Sequence, residues 1–184
     1  MLKYLIALLG KRHSKSVAAE ASLDPAAARE STVAEWTDDH GISRRATDVF
    51  ISYARSDLPH VRVIADKLKD AGLSVFWDRM IPPGVDYQHF LREALDHSRL
   101  VLVVWSREAI SSDWVRAEAE YARVRKRLIS CRIEECSLGP PFNTFHTADL
   151  REPAFDLNWP DVLDLISHRV RSGNANEPLG DVVL

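Results

Sequence analysis

Residues 100–105 read Leu-Val-Leu-Val-Val-Trp, an unbroken run of apolar side chains. A strand with one face in water alternates apolar and polar residues, so a strand apolar on both sides must be covered on both. That places it inside a parallel sheet, and parallel strands need crossovers long enough to hold a helix. The flanking sequence supplies them. Asp48–Tyr53 (DVFISY), Leu73–Trp77 (LSVFW) and Arg127–Ile133 (RLISCRI) read as further strands, rich in β-branched and aromatic residues. A short fifth strand is expected near Thr147–Leu150. Between them, Leu58–Ala71 carries Val61, Ile64, Ala65 and Leu68 at helical spacing, with Gly72 as its stop. Asp86–Ser98 places Phe90, Leu91, Ala94 and Leu95 on one face. A third helix is capped by Ser111, Ser112 or Asp113 and runs to about Lys126. Asp161–Val170 is the last helix.

Strands alternating with helices, joined by right-handed crossovers, give an α/β fold with a parallel five-stranded sheet. In the order 2-1-3-4-5 the chain reverses direction between strands one and three, and open sheets bind ligands at such a point. Tyr53, Ala54 and Arg55 follow strand one there, and Ser106 and Arg107 follow strand three. Trp114 and Glu118 lie on the adjacent helix at i and i+4, so a ring and a carboxylate project from one face. Read without further context, Trp114 is equally a packing residue, and Glu118 a solvated carboxylate within reach of Arg123.

Composition narrows the classes. The net charge is −3 and the charged fraction 28%, without the basic footprint of a nucleic-acid binder. The basic run Arg123–Arg127 falls at a helix C-terminus, where the helix dipole favours cations. Two cysteines, Cys131 and Cys136, show no metal spacing and fit a reducing, cytoplasmic setting. The histidines are scattered, and no metal or cofactor is expected. No GxGxxG follows strand one, and no P-loop, HExxH or GxSxG occurs. Met1–Leu9 is apolar but far shorter than the roughly 20 residues of a membrane span. It precedes its basic residues, the reverse of a secretory signal. It reads as a short docking helix, with weak interfacial membrane contact as the alternative. Residues 14–46 read as linker, so the expected division is 1–46 helix and linker, 47–171 folded domain, and 172–184 loose tail.

One crevice carboxylate restricts the chemistry. Ordinary glycosidases use two, one of them to protonate the leaving oxygen. Nicotinamide leaves NAD⁺ as a neutral molecule and needs no acid. A single carboxylate suffices to stabilise an oxocarbenium-like ribose and to hold its hydroxyls.

Four segments together carry a family resemblance: DVFISYARSD (48–57), VFWDRMIPPG (75–84), LVLVVWSREAISSDWVRAEAEYA (100–122) and the strand around 128–133. They resemble a Toll/interleukin-1 receptor (TIR) domain of the bacterial type, over about 47–170. The resemblance implies a three-layer flavodoxin-like fold with strand order 2-1-3-4-5. It implies NAD⁺ as substrate, cleaved to nicotinamide and ADP-ribose or a cyclic form. Glu118 of the WxxxE motif would be catalytic and Trp114 its wall. Tyr53, Arg55, Asp78 and Ser106 would line the substrate site. The loop with Ile81, Pro82, Pro83 and Gly84 would contact a neighbouring TIR domain, with a separate sensor protein as a possible trigger and bacterial defence or signalling as the setting. Ala54 stands where some active relatives carry Arg, which leaves phosphate binding more dependent on Arg55. Ile129-Ser130-Cys131 replaces an Ile-Pro-Val common in the family. A second reading is a non-catalytic adaptor or effector acting through TIR–TIR contacts. A phospho-receiver shares the topology but needs acids after strand one and an Asp ending strand three. This chain has Ser-Tyr and Trp-Ser there.

Overall fold

The computed structural model describes residues 35–37, 43–77 and 87–172. Two short strands, β1 (Glu35–Thr37) and β2 (Ser43–Arg45), pair antiparallel within the stretch read as linker. The main sheet contains β3 (Thr47–Ser52), β4 (Val75–Phe76), β5 (Ser98–Trp105), β6 (Leu128–Arg132) and β7 (Ala148–Asp149). Its order is β4-β3-β5-β6-β7 and every pair is parallel. Counted from β3, this is the 2-1-3-4-5 order expected. The helices are α1 (Leu58–Asp70), α2 (Tyr87–Asp96), α3 (Arg107–Ser111), α4 (Asp113–Val124) and α5 (Phe155–Ser172).

The period-two alternation of the central strands builds both faces of the core. Leu100, Leu102 and Val104 join Val49 and Ile51 against α1 and α5, through Ile64, Leu68, Val162 and Ile166. Val101, Val103 and Trp105 join Phe50 against α2 and α4, through Leu91, Leu95, Val115 and Ala119. Every residue from Leu100 to Trp105 is buried, as an unbroken apolar strand requires. Burial of large aliphatic side chains contributes roughly 1.5–3 kcal/mol each, and this strand contributes to both faces of the core.

Helix ends follow local chemistry. At the end of α1, Leu73 N–H donates to Leu68 O at 3.1 Å and Gly72 N–H to Lys69 O at 2.8 Å. These two bonds form a Schellman cap, with Gly72 at φ +82°. The end of α4 repeats it, with Arg127 N–H to Ala122 O and Lys126 N–H to Arg123 O. Here a lysine at φ +57° holds the position usually given to glycine. The basic run is used locally: Arg123 pairs with Glu120, Arg125 stacks on Tyr121 at 3.5 Å, and Arg127 donates to the carbonyls of Asp96 and Ser98.

Two boundaries differ from the expectation. The last helix begins at Phe155 and carries Pro160 inside it. Phe155 and Trp159 extend the buried stripe of Val162, Ile166 and Val170 and stack on each other at 5.7 Å, so packing outweighs the bond lost at the proline. The stretch after β5 forms α3 before the WxxxE helix starts. Among the described residues no helix is long and apolar enough to cross a membrane. The segments Met1–Leu9 and 173–184 lie outside the described residues.

Candidate functional site

At the C-terminal ends of β3 and β5, where the sheet order reverses, a crevice of about 450 Å³ opens. Its walls come from the end of β3 and the turn after it (Ser52 to Ser56), from α3 and the residue after it (Glu108, Ser111, Ser112), and from α4. The volume falls in the usual range for small-molecule sites.

The α4 wall follows from its cap. Ser112 accepts from Val115 N–H, which starts the helix at Asp113. Val115, Ala119 and Ala122 then turn to the sheet, and Trp114 and Glu118 fall on the neighbouring strip facing the crevice. Trp114 is 41% exposed, so it is a wall of the crevice and not a core residue. Glu118 is half-buried. The pairing with Arg123 open in the sequence is not formed: Arg123 makes two 2.7 Å bonds to Glu120. Those bonds hold the Glu120 carboxyl below its ordinary range and leave Glu118 turned to the crevice. Glu118 Oε2 accepts a 2.6 Å bond from the hydroxyl of Ser52.

Ser52 ends β3 and is 1% exposed. Alternation along the strand puts it on the α4 face with Phe50. Tyr53 falls on the other face, packed near Trp77 with ring centroids 6.5 Å apart, and also lines the crevice. Arg55 opens a short 3-10 turn, Arg55–Asp57, and stands exposed at the mouth. The charged lining is therefore Arg55, Glu108 and Glu118.

The structure brings together Tyr53, Arg55, Trp114 and Glu118, four of the residues expected at the site. Ser106 is elsewhere. It is 1% exposed, donates to Asp57 Oδ2 at 2.6 Å and accepts from Ala109 N–H at 2.9 Å. It caps α3 and ties the turn after β3 to the end of β5, and it is not part of the crevice lining. The sequence places it correctly at the strand end but does not reveal that an acid five residues past β3 occupies its hydroxyl. Asp78, Ile81, Pro82, Pro83 and Gly84 lie outside the described residues. Ser52 and Glu108 went unnoticed in the sequence. The signal for Ser52 was present, since it is a polar residue on a strand face that is otherwise buried and apolar. Among the described residues no cluster of His, Cys, Asp and Glu fits a metal ion.

Comparison with known proteins bears on this site. The family model described as "TIR domain" matches residues 49–162, which covers the sheet from Val49 onward and all of the crevice wall. The TIR domain of a Toll-related receptor from Hydra magnipapillata superposes with TM-score 0.59 at 20% identity, over 66% of this chain and 98% of that one. A metazoan TIR-STING receptor from C. gigas, in complex with 2′,3′-cGAMP, gives TM-score 0.56 at 24% identity, over 66% of this chain and 39% of the receptor. A second structure of such a receptor gives 0.52 at 21%, over 74% of this chain and 42% of the receptor. At these identities the likeness is one of fold. No curated protein matches the chain.

Proposed function

The chain belongs to the TIR domain family, and from that premise we propose that it is an NAD⁺ nucleosidase with Glu118 as its catalytic residue. The observation that carries the reading is the placement of Glu118. A half-buried carboxylate on a helix, held by Ser52, faces a small-molecule crevice beside the exposed ring of Trp114.

The chemistry asks little more. The bond between C1′ of the ribose and the pyridinium nitrogen breaks, and its electron pair leaves with nicotinamide. Positive charge develops at C1′ and the ring oxygen. The Glu118 carboxylate stabilises that charge and accepts from ribose hydroxyls. Trp114 forms a flat wall that shields the reacting centre from water. Arg55 holds the pyrophosphate, and Tyr53 lines the nucleotide path. Water then adds at C1′, giving ADP-ribose and a proton; attack by an adenine nitrogen instead would give a cyclic product. NAD⁺ is a substrate here and no cofactor is needed. The bacterial-type character rests on the motifs at 48–57 and 100–122. With it come a cytoplasmic setting, a role in defence or signalling, and activation by TIR self-association through the 79–86 loop, under a separate sensor.

The test is nicotinamide release from NAD⁺ by concentrated protein, with Glu118→Ala in parallel. The expected result is release by the parent and a loss of about 100-fold or more in the variant. Absence of release from folded, artificially clustered protein would defeat the enzyme reading and leave an interaction module acting through TIR–TIR contacts.

A further inference from the structure

We propose that Ser52 is a positioning residue for Glu118: its hydroxyl, held at the end of β3, fixes the carboxylate in the orientation the reaction needs. The inference rests on the catalytic reading of Glu118. It adds a residue to the machinery that the WxxxE motif does not contain, drawn from a strand 66 residues away in sequence.

Three observations converge. The first is the bond itself, 2.6 Å from Ser52 Oγ to Glu118 Oε2, the length of a hydroxyl donating to a charged acceptor. The second is the difference in mobility of the two partners. Ser52 is 1% exposed, and its backbone is locked by the β3–β5 ladder, where Ser52 pairs with Val103. Glu118 hangs from a helix on three rotatable bonds and is half-buried. A rigid donor therefore sets the flexible acceptor. The third is the surroundings. The neighbours of Ser52 on its face of the sheet are Phe50, Val101, Val103 and Trp105, where alanine would pack without a polar group to satisfy. A serine is costly there unless its hydroxyl is bonded, and Glu118 is the acceptor it meets.

The consequence is directional. With Oε2 tied to the strand, rotation of the carboxylate about its terminal bond is stopped, and the plane it presents to the crevice is fixed before any ligand enters. Pre-set orientation of this kind raises the rate of the chemical step, because the carboxylate does not have to be ordered during the reaction. It contributes little to binding the nucleotide, which the proposed function assigns to Arg55 and Tyr53. Loss of the hydroxyl is thus read in kcat and not in KM.

Ser52→Ala and Ser52→Gly both remove the hydroxyl without adding a heavy atom, but they differ in the strand, where glycine is less stable than alanine and lowers the melting temperature further. Steady-state NAD⁺ cleavage is measured for parent and both variants, beside their melting temperatures. The expected result is a fall in kcat of about tenfold, equal in the two variants, with KM within about twofold of the parent. Unequal melting temperatures would accompany that equal loss, showing that the rate follows the hydroxyl and not the stability. An active parent whose variants keep kcat within about twofold overturns the positioning role while the enzyme reading stands. So does a loss of kcat that tracks melting temperature. A parent that releases no nicotinamide removes the catalytic reading of Glu118 and this inference with it.

Discussion

Ser106→Ala separates two roles for a residue that sequence and structure treat differently. If Ser106 touched substrate, its loss would raise KM and leave the fold intact. In the structure its hydroxyl is enclosed, donating to Asp57 at 2.6 Å and accepting from Ala109 N–H at 2.9 Å. Removing an N-cap hydroxyl costs about 1 kcal/mol. Leaving the buried Asp57 oxygen without its hydrogen-bond donor costs about 1–3 kcal/mol. Both bonds end on one oxygen, so the costs overlap, and a total of about 2–3 kcal/mol is expected. For a domain of this size that lowers the melting temperature by roughly 6–9 °C. The assay is urea denaturation of Ser106→Ala, Asp57→Ala and the double variant. A coupling of about 1–2 kcal/mol between the two sites is the signature of the pair. A stability loss under about 0.5 kcal/mol, or a coupling near zero, refutes the reasoning. A raised KM with unchanged stability would return Ser106 to the substrate site.

Two further outcomes follow from the helix and sheet ends. Lys126→Gly should raise stability by about 0.5–1 kcal/mol, because a lysine at φ +57° carries the left-handed penalty that glycine escapes; a lowered urea midpoint would mean that the lysine side chain outweighs that strain. Asp149 is hydrogen-bonded by Arg151 and, secondarily, by Arg132, which together hold its carboxyl well below the usual carboxylate range. A depressed folded-state value means the stabilisation is present above about pH 4, the ordinary carboxylate range, and is lost as pH falls toward the folded-state value. Asp149→Asn should therefore lower the melting temperature at pH 7 and flatten its acid-side decline below pH 4; parallel melting curves against pH would count against the network.

The sheet was legible because its signals are local. The unbroken run 100–105 could be satisfied only by cover on both faces, and the helical spacings on either side supplied the cover. Boundaries were less legible where tertiary contacts decide them. Nothing in the local pattern of 155–160 outweighs Pro160; the stacked pair Phe155 and Trp159 does, and it acts only once α5 lies on the sheet. The pairing of β1 with β2 lies in a stretch with little apolar periodicity, where strand propensity is weak and pairing depends on the partner strand. The short helix α3 was hidden for another reason. Five residues, Arg107–Ser111, are too few to show a helical period, and the cap that starts them is formed by Ser106, whose hydroxyl also reaches Asp57 across the fold.

At the site the division is the same. Trp114 and Glu118 were legible because both lie on one helix, four residues apart, and helical geometry alone brings them to one face. Their orientation was not. Sequence alone leaves Glu118 free to turn along the helix surface toward Arg123, five residues on, instead of into the crevice. In the structure Glu120 takes Arg123 in a two-bond pair, and Ser52 donates to Glu118. The first releases the carboxylate from the surface, and the second secures it to the strand. Swapping the pairing is therefore a direct way to test whether the crevice depends on both. With Glu120 present, Arg123 is engaged at i+3; once Glu120 is removed, Arg123 is released near Glu118. If Ser52 holds its partner more firmly than the freed arginine can attract it, the site survives, and the strand rather than the helix surface sets the carboxylate.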